Sequence, residues 1–96
     1  MAAYLIYARK EITDAAKSRE YSRQAVPQIQ QFGGEVLAAR GAVEVLEGDW
    51  RPQSVTVLKF EDMEALKAWY ESPDYAPLKQ MRLDSNIGDI IAIEGA

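Results

Sequence analysis

Three stretches of this chain have the composition of β-strands, and the segments between them follow a different period. "AYLIYAR" (3–9), "SVTVLKF" (54–60) and "IGDIIAIE" (87–94) are rich in branched and aromatic residues. After the first, Ser22, Val26, Ile29 and Phe32 recur at spacings of three and four, which makes one helical stripe. Thr13 is placed to cap that helix with Asp14 in its first turn, Pro27 to kink it, and Gly33-Gly34 to end it. "EVLAARGAVEVLEG" (35–48) reads as one more strand, interrupted at Gly41 by a bulge or tight bend. "DWRPQ" then turns the chain, with Gly48 just before it supplying a positive φ. Asp62 caps a second helix on which Met63, Leu66 and Tyr70 share a face. Within "AWYESPDYAPL" (68–78), Ser72 and Pro73 break that helix and start a short one to about Asp84. Tyr75, Leu78 and Arg82 fall along one side of it.

The resulting order, β-α-β-β-α-β with a split second helix, is the ferredoxin-like arrangement. It predicts an α+β fold in which a four-stranded antiparallel sheet carries its helices on one face. Ninety-six residues suit one such domain spanning 1–96. An antiparallel sheet with one wet face alternates apolar and polar residues. "AYLIYA", "VTVLKF" and "IIAI" do not alternate well. With helices on one face only, large apolar groups remain on the other, and each one left in water forgoes roughly 1.5–3 kcal/mol. A second copy of the same sheet is the simplest cover. A homodimer packed through its sheet faces is therefore expected.

The missing residue types narrow the chemistry. Without cysteine there is no disulfide, thiolate nucleophile or thiolate-held metal. Without histidine there is no Ser-His-Asp triad, histidine base or usual zinc or haem ligation. No metal site and no resident cofactor are expected, and any catalysis rests on Asp, Glu, Lys, Arg, Tyr or a borrowed cofactor. The net charge of −4, with basic residues scattered among acidic ones, argues against nucleic acid as a partner. No run is long enough to span a bilayer, and Ala2–Ala8 is too short for a signal segment, so no membrane partner and a cytoplasmic location are expected.

"RG" (40–41), "EVLEGDWRP" (44–52), "VTVLKF", "AWYESPDYAPL" and Arg82 together resemble a small-protein family of the dimeric α/β-barrel superfamily. That family is known only as a domain of unknown function. The resemblance spans Tyr4 to about Glu94, and its most specific element is E-G-x-W-x-P followed by W-Y-x-S-P-x-Y. It implies a ferredoxin-like subunit whose sheet pairs with a second to form a barrel. Superfamily relatives include monooxygenases, isomerases and peroxidases, so it also implies work on a small molecule. The chain departs from the family pattern at Ala42, where a second glycine is commoner, and at Glu61-Asp62, where a Pro-Ser helix start is commoner.

Several residues are candidates for a site, each with a plainer reading beside it. Tyr70 and Tyr75 either fill the elbow between the helices or present hydroxyls into a cleft. Arg82 lies on an apolar stripe, where it snorkels outward, pairs with Glu47 or Glu61, or holds a ligand carboxylate or phosphate. Arg40 beside Gly41 places a guanidinium at a bend, a substrate-binding position if the bend adjoins a pocket. Trp50 covers a dimer edge or stacks on a substrate. For catalysis the weak candidates are Tyr70 and Asp89, the latter only if it turns inward and its pKa rises. The residues leave three classes open: a cofactor-free enzyme on a small organic anion, a non-catalytic ligand-binding module, and a structural dimer.

Overall fold

A computed structural model describes all residues from Met1 to Ala96. The elements are β1 (Ala3–Ile12), α1 (Ala15–Gln31), β2 (Glu35–Ala38), β3 (Ser54–Phe60), α2 (Met63–Tyr70), α3 (Ala76–Ser85) and β4 (Asn86–Glu94). The four strands form one antiparallel sheet in the order β2-β3-β1-β4. This is the expected ferredoxin-like α+β fold. Long β1 and β4 pair along nearly their whole length, so the two chain ends meet at the sheet.

Strand alternation decides what each face carries. Ala3, Leu5 and Tyr7 of β1, with Leu58 and Phe60 of β3, point to the helices. There they meet Ala25 and Ile29 of α1, Leu66 and Trp69 of α2, and Tyr75 and Leu78 at α3. Trp69 stacks on Phe60 at 5.7 Å between ring centres and packs against Tyr75 at 4.2 Å. Its indole N–H donates to Gln28 Oε1 at 3.1 Å, which ties α2 to α1. The alternate residues Tyr4, Ile6, Val55, Val57, Ile91 and Ile93 face away from the helices. Ile91 and Ile93 are 60% and 54% exposed. The Cα envelope measures 34 × 32 × 17 Å, and its short axis holds one sheet and one helix layer. The second sheet face is bare.

Helix ends follow the local chemistry, with two shifts. Asp14, one residue after the expected Thr13, is the N-cap of α1; its carboxylate accepts from Lys17 N–H at 3.0 Å. Pro27 stays inside α1, which continues through it to Gln31, and Gly33 ends the turn with φ 84°. Asp62 caps α2 as expected, accepting from Ala65 N–H at 2.8 Å. Ser72 does not start α3. Its hydroxyl donates to Trp69 O at 2.8 Å and accepts from Tyr75 N–H at 3.1 Å, closing a turn. α3 begins at Ala76, with Pro77 in its first turn.

The long strand expected over 35–48 is cut short. β2 is an edge strand whose only neighbour is β3. Its register slips at Leu37, so the bulge falls there and not at Gly41. Pairing ends at Ala38 and Val57 although β3 runs back to Ser54, and past that point the contact is a side-chain one, Ser54 Oγ donating to Ala39 O at 3.3 Å. Pro52 brings no N–H to extend β3 backward. Residues 39–53 therefore form an irregular arm, on which Leu46 and Trp50 are 87% and 63% exposed. Gly48 in this arm has the expected positive φ, 88°.

Candidate functional site

A cavity of about 720 Å³ opens between α1 and the helix-facing side of the sheet. Alternation along β1 sends Leu5, Tyr7 and Arg9 to it, opposite Leu58, Thr56 and Ser54 of β3. Tyr21 of α1, Tyr75 and Arg82 border the same space.

Arg82 is the unusual group. It is 5% exposed, yet no carboxylate faces it; the chain's one ion pair joins Arg23 and Glu20 on the outside of α1. The pairing with Glu47 or Glu61 does not form. Glu47 leaves with the irregular arm, and Glu61 follows the end of β3 that lies beside Ala3, while Arg82 lies over Tyr7. The Nε–H of Arg82 donates to the Tyr75 hydroxyl at 3.3 Å, and its guanidinium carbon lies 5.3 Å from the centre of the Tyr7 ring. Its other N–H groups make no well-formed hydrogen bond within the protein, and approach only the Tyr7 hydroxyl. Burying an ion without an opposite charge costs several kcal/mol. Burial works against the Arg82 charge, but the phenols of Tyr75, Tyr21 and Tyr70 outweigh it and hold the guanidinium above its ordinary range.

Three phenols complete the floor. The Tyr21 and Tyr75 hydroxyls share a hydrogen bond of 2.7 Å, with their rings edge-on at 6.4 Å. Burial pushes the Tyr21 hydroxyl well above the ordinary phenol range, with Tyr75 adding to the rise, so it keeps its proton. Tyr7 Oη is the one buried side-chain polar atom with no hydrogen-bond partner. Burial raises its pKa, and the nearby Arg82 charge offsets part of the rise. Asn86 closes one end: Ser18 Oγ donates to its Oδ1 at 3.3 Å, and its Nδ2 donates to Ser85 Oγ at 2.8 Å.

Of the residues singled out from sequence, Arg40, Tyr75 and Arg82 line this cavity. Arg40 sits at its rim, exposed, at the start of the irregular arm. Tyr70 lies behind Tyr75, half-buried, with Lys79 Nζ 4.7 Å from its ring centre, and does not line the space. Asp89 pairs across from Ala8 on the bare face of the sheet, exposed and on the far side from the cavity. Trp50 points into solvent from the arm. Tyr7 and Tyr21 were not singled out from sequence. The signal existed for both: Tyr7 follows Leu5 by two on a strand, and Tyr21 precedes the buried Ala25 by four on a helix.

The sheet order, the one-sided helix layer and the cavity between them define a ferredoxin-like α+β protein. The chain belongs to the family described as domain of unknown function DUF1330, which it matches over residues 2–96. Among solved structures, it is similar to RPA0582, a protein of unknown function from Rhodopseudomonas palustris, with a TM-score of 0.80 at 15% identity, over 99% of this chain and 82% of that one. It is similar to SnoaB, a cofactor-independent oxygenase from Streptomyces nogalater, with a TM-score of 0.64 at 8% identity, over 99% and 92% of the two chains. A dimeric protein of unknown function and ferredoxin-like fold from Bacteroides fragilis gives 0.60 at 10%, over 98% and 96%. At such identities the likeness is one of fold. No curated protein matches the sequence.

Proposed function

We propose that the chain pairs with a second copy through the bare sheet faces, and that each subunit's cavity takes a small organic anion on which it acts without a cofactor. The observation that carries this reading is Arg82, a buried cation at the edge of a 720 Å³ cavity with no carboxylate to meet it. A ligand carboxylate, enolate or phenolate supplies the missing charge, and the unused guanidinium N–H groups receive it. Tyr7 lies beside them with an unpaired hydroxyl. Such fixed donors favour a reaction in which negative charge builds up on the substrate, because they need no reorganisation as it forms. The dimer rests on the apolar face, where each isoleucine covered by a partner is worth roughly 1.5–3 kcal/mol. The dimeric neighbour and the cofactor-independent oxygenase of the same fold support both halves of the proposal.

A second reading, a non-catalytic ligand-binding module, is favoured by the absence of any Asp, Glu or Lys among the lining residues. No resident base then removes a proton, and a substrate must arrive ionised or acidic enough to ionise against Arg82.

The test is a spectroscopic titration of 4-nitrophenol with excess protein. A site that prefers the phenolate lowers the apparent pKa of the bound phenol, by about one unit for 1.4 kcal/mol of preference. Arg82→Gln is expected to abolish that shift. A bound phenol that titrates as it does in water would overturn the anion-stabilising site. An intact anion carried through purification, seen by native mass spectrometry, would move the assignment to the binding module.

A further inference from the structure

The cavity is lined by Arg9, Arg19, Arg23, Arg40 and Arg82, and by no Asp, Glu or Lys. Only Arg51 among the chain's arginines lies elsewhere. The protein has 15 acidic residues against 11 basic ones, so its composition does not account for this segregation. The arginines also come from separate elements: Arg9 from β1, Arg19 and Arg23 from α1, Arg40 from the irregular arm and Arg82 from α3. Folding brings them to one space.

We infer that this space is built for an organic anion with two negative groups, one seated at Arg82 and the other at the rim arginines, with an apolar body between them. The inference rests on the anion-binding reading above and goes further by assigning the second charge. Arg82 is buried, while Arg19 and Arg40 are exposed and have no carboxylate partner. Arg9, half-buried, donates from Nε to Gln53 Oε1 at 3.0 Å, and Arg23 is neutralised by Glu20. Arg9, Arg19 and Arg40 are therefore the cations left for a second group. Tyr7, against which Arg82 lies, and Arg9 are neighbours on one face of β1. At strand rise, that separates the two positions by about 7 Å. Leu5, Ile29, Val36, Leu58 and Ile90 supply apolar wall. A single carboxylate satisfies one end only. A molecule with carboxylate or phosphate at both ends spans them, and low-dielectric walls strengthen the attraction at each.

Calorimetry with two matched pairs tests this: hexanoate against adipate, and benzoate against terephthalate. The dicarboxylate is expected to bind about tenfold tighter than its partner, the sum of two or three exposed ion pairs. The double variant Arg19→Ala, Arg40→Ala, at exposed positions, is expected to cut that advantage to about two- to threefold, the share left to Arg9. Phenyl phosphate carrying a para carboxylate, run against terephthalate, tells whether phosphate or carboxylate is preferred at one end. Equal affinity within each pair, with binding still lost in Arg82→Gln, would overturn the two-anion site and leave the anion pocket standing. An advantage undiminished in the double variant would overturn the rim as its source. If neither member of either pair binds, the anion pocket and this inference fall together.

Discussion

Replacing Tyr7 by Phe is expected to stabilise the unliganded protein while weakening its hold on an anion. The Tyr7 oxygen is buried with no well-formed hydrogen bond, and the approach of the Arg82 guanidinium only partly replaces the water that folding removes. A buried hydroxyl left unsatisfied costs about 1–3 kcal/mol. Phenylalanine keeps the ring, and with it the contact under the Arg82 guanidinium at 5.3 Å. The space vacated by one oxygen offsets part of the gain, which places the expected stabilisation at about 1 kcal/mol. In a domain of this size that raises Tm by about 4–8 °C. Thermal unfolding followed by circular dichroism reads it directly, at one fixed protein concentration because a dimer's Tm depends on concentration. Urea unfolding should show a higher midpoint with an unchanged slope. When the cavity is filled, the same hydroxyl has an acceptor, so Tyr7→Phe is expected to weaken anion binding about three- to tenfold. A lowered Tm would refute the reasoning, since it would mean that the hydroxyl has a partner in the folded protein.

Gly88→Ala should destabilise by about 1–3 kcal/mol in urea titration, because its Cβ would stand 2.5 Å from Ala8 O, 2.7 Å from Tyr7 Cε1 and 2.9 Å from Arg9 Cα. A loss near zero would mean that β1 and β4 can part locally without cost. The double variant Ile91→Lys, Ile93→Lys is expected to be monomeric by light scattering with native far-ultraviolet circular dichroism; a persistent dimer would place the interface elsewhere. On the alkaline side, unfolded Tyr21 ionises near 10.0 while burial keeps the folded hydroxyl protonated. Its contribution to stability is therefore complete below that pH and declines as pH rises beyond it. Tyr21→Phe should flatten that decline while losing about 1 kcal/mol at neutral pH with the hydrogen bond to Tyr75. Equal alkaline slopes in the two proteins would show that Tyr21 ionises as readily folded as unfolded.

Much of the fold was legible because it rests on short-range chemistry. The Asp62 cap, the glycine stop at Gly33, the three apolar strands and the break after Tyr70 all depend on residues within a turn or two of each other. The bare sheet face was legible too, since alternation puts Ile91 and Ile93 on one side whatever the rest of the chain does. The misplaced details were those that competing local partners decide. Asp14 outcompetes Thr13 as cap, and Ser72 closes a turn around Tyr75 instead of opening a helix. The run 39–48 has strand composition but leaves the β3 edge after Ala38, before that edge ends at Ser54, so composition overstated it.

The site divides along the same line. Tyr75 and Arg82 are seven residues apart, about two helical turns, and that spacing alone places them on one face. Nothing in the sequence says that Arg82 meets no carboxylate, or that Tyr7 and Tyr21 join it. Those facts arise where β1, α1 and α3 are packed together, because only then is it settled which acids lie within reach and which arginines share one space. Periodicity is read along a single element, which is why the sequence determined the strands, the helices and the uncovered sheet face. Charge complementarity is a property of distances between elements, and tertiary structure alone set those.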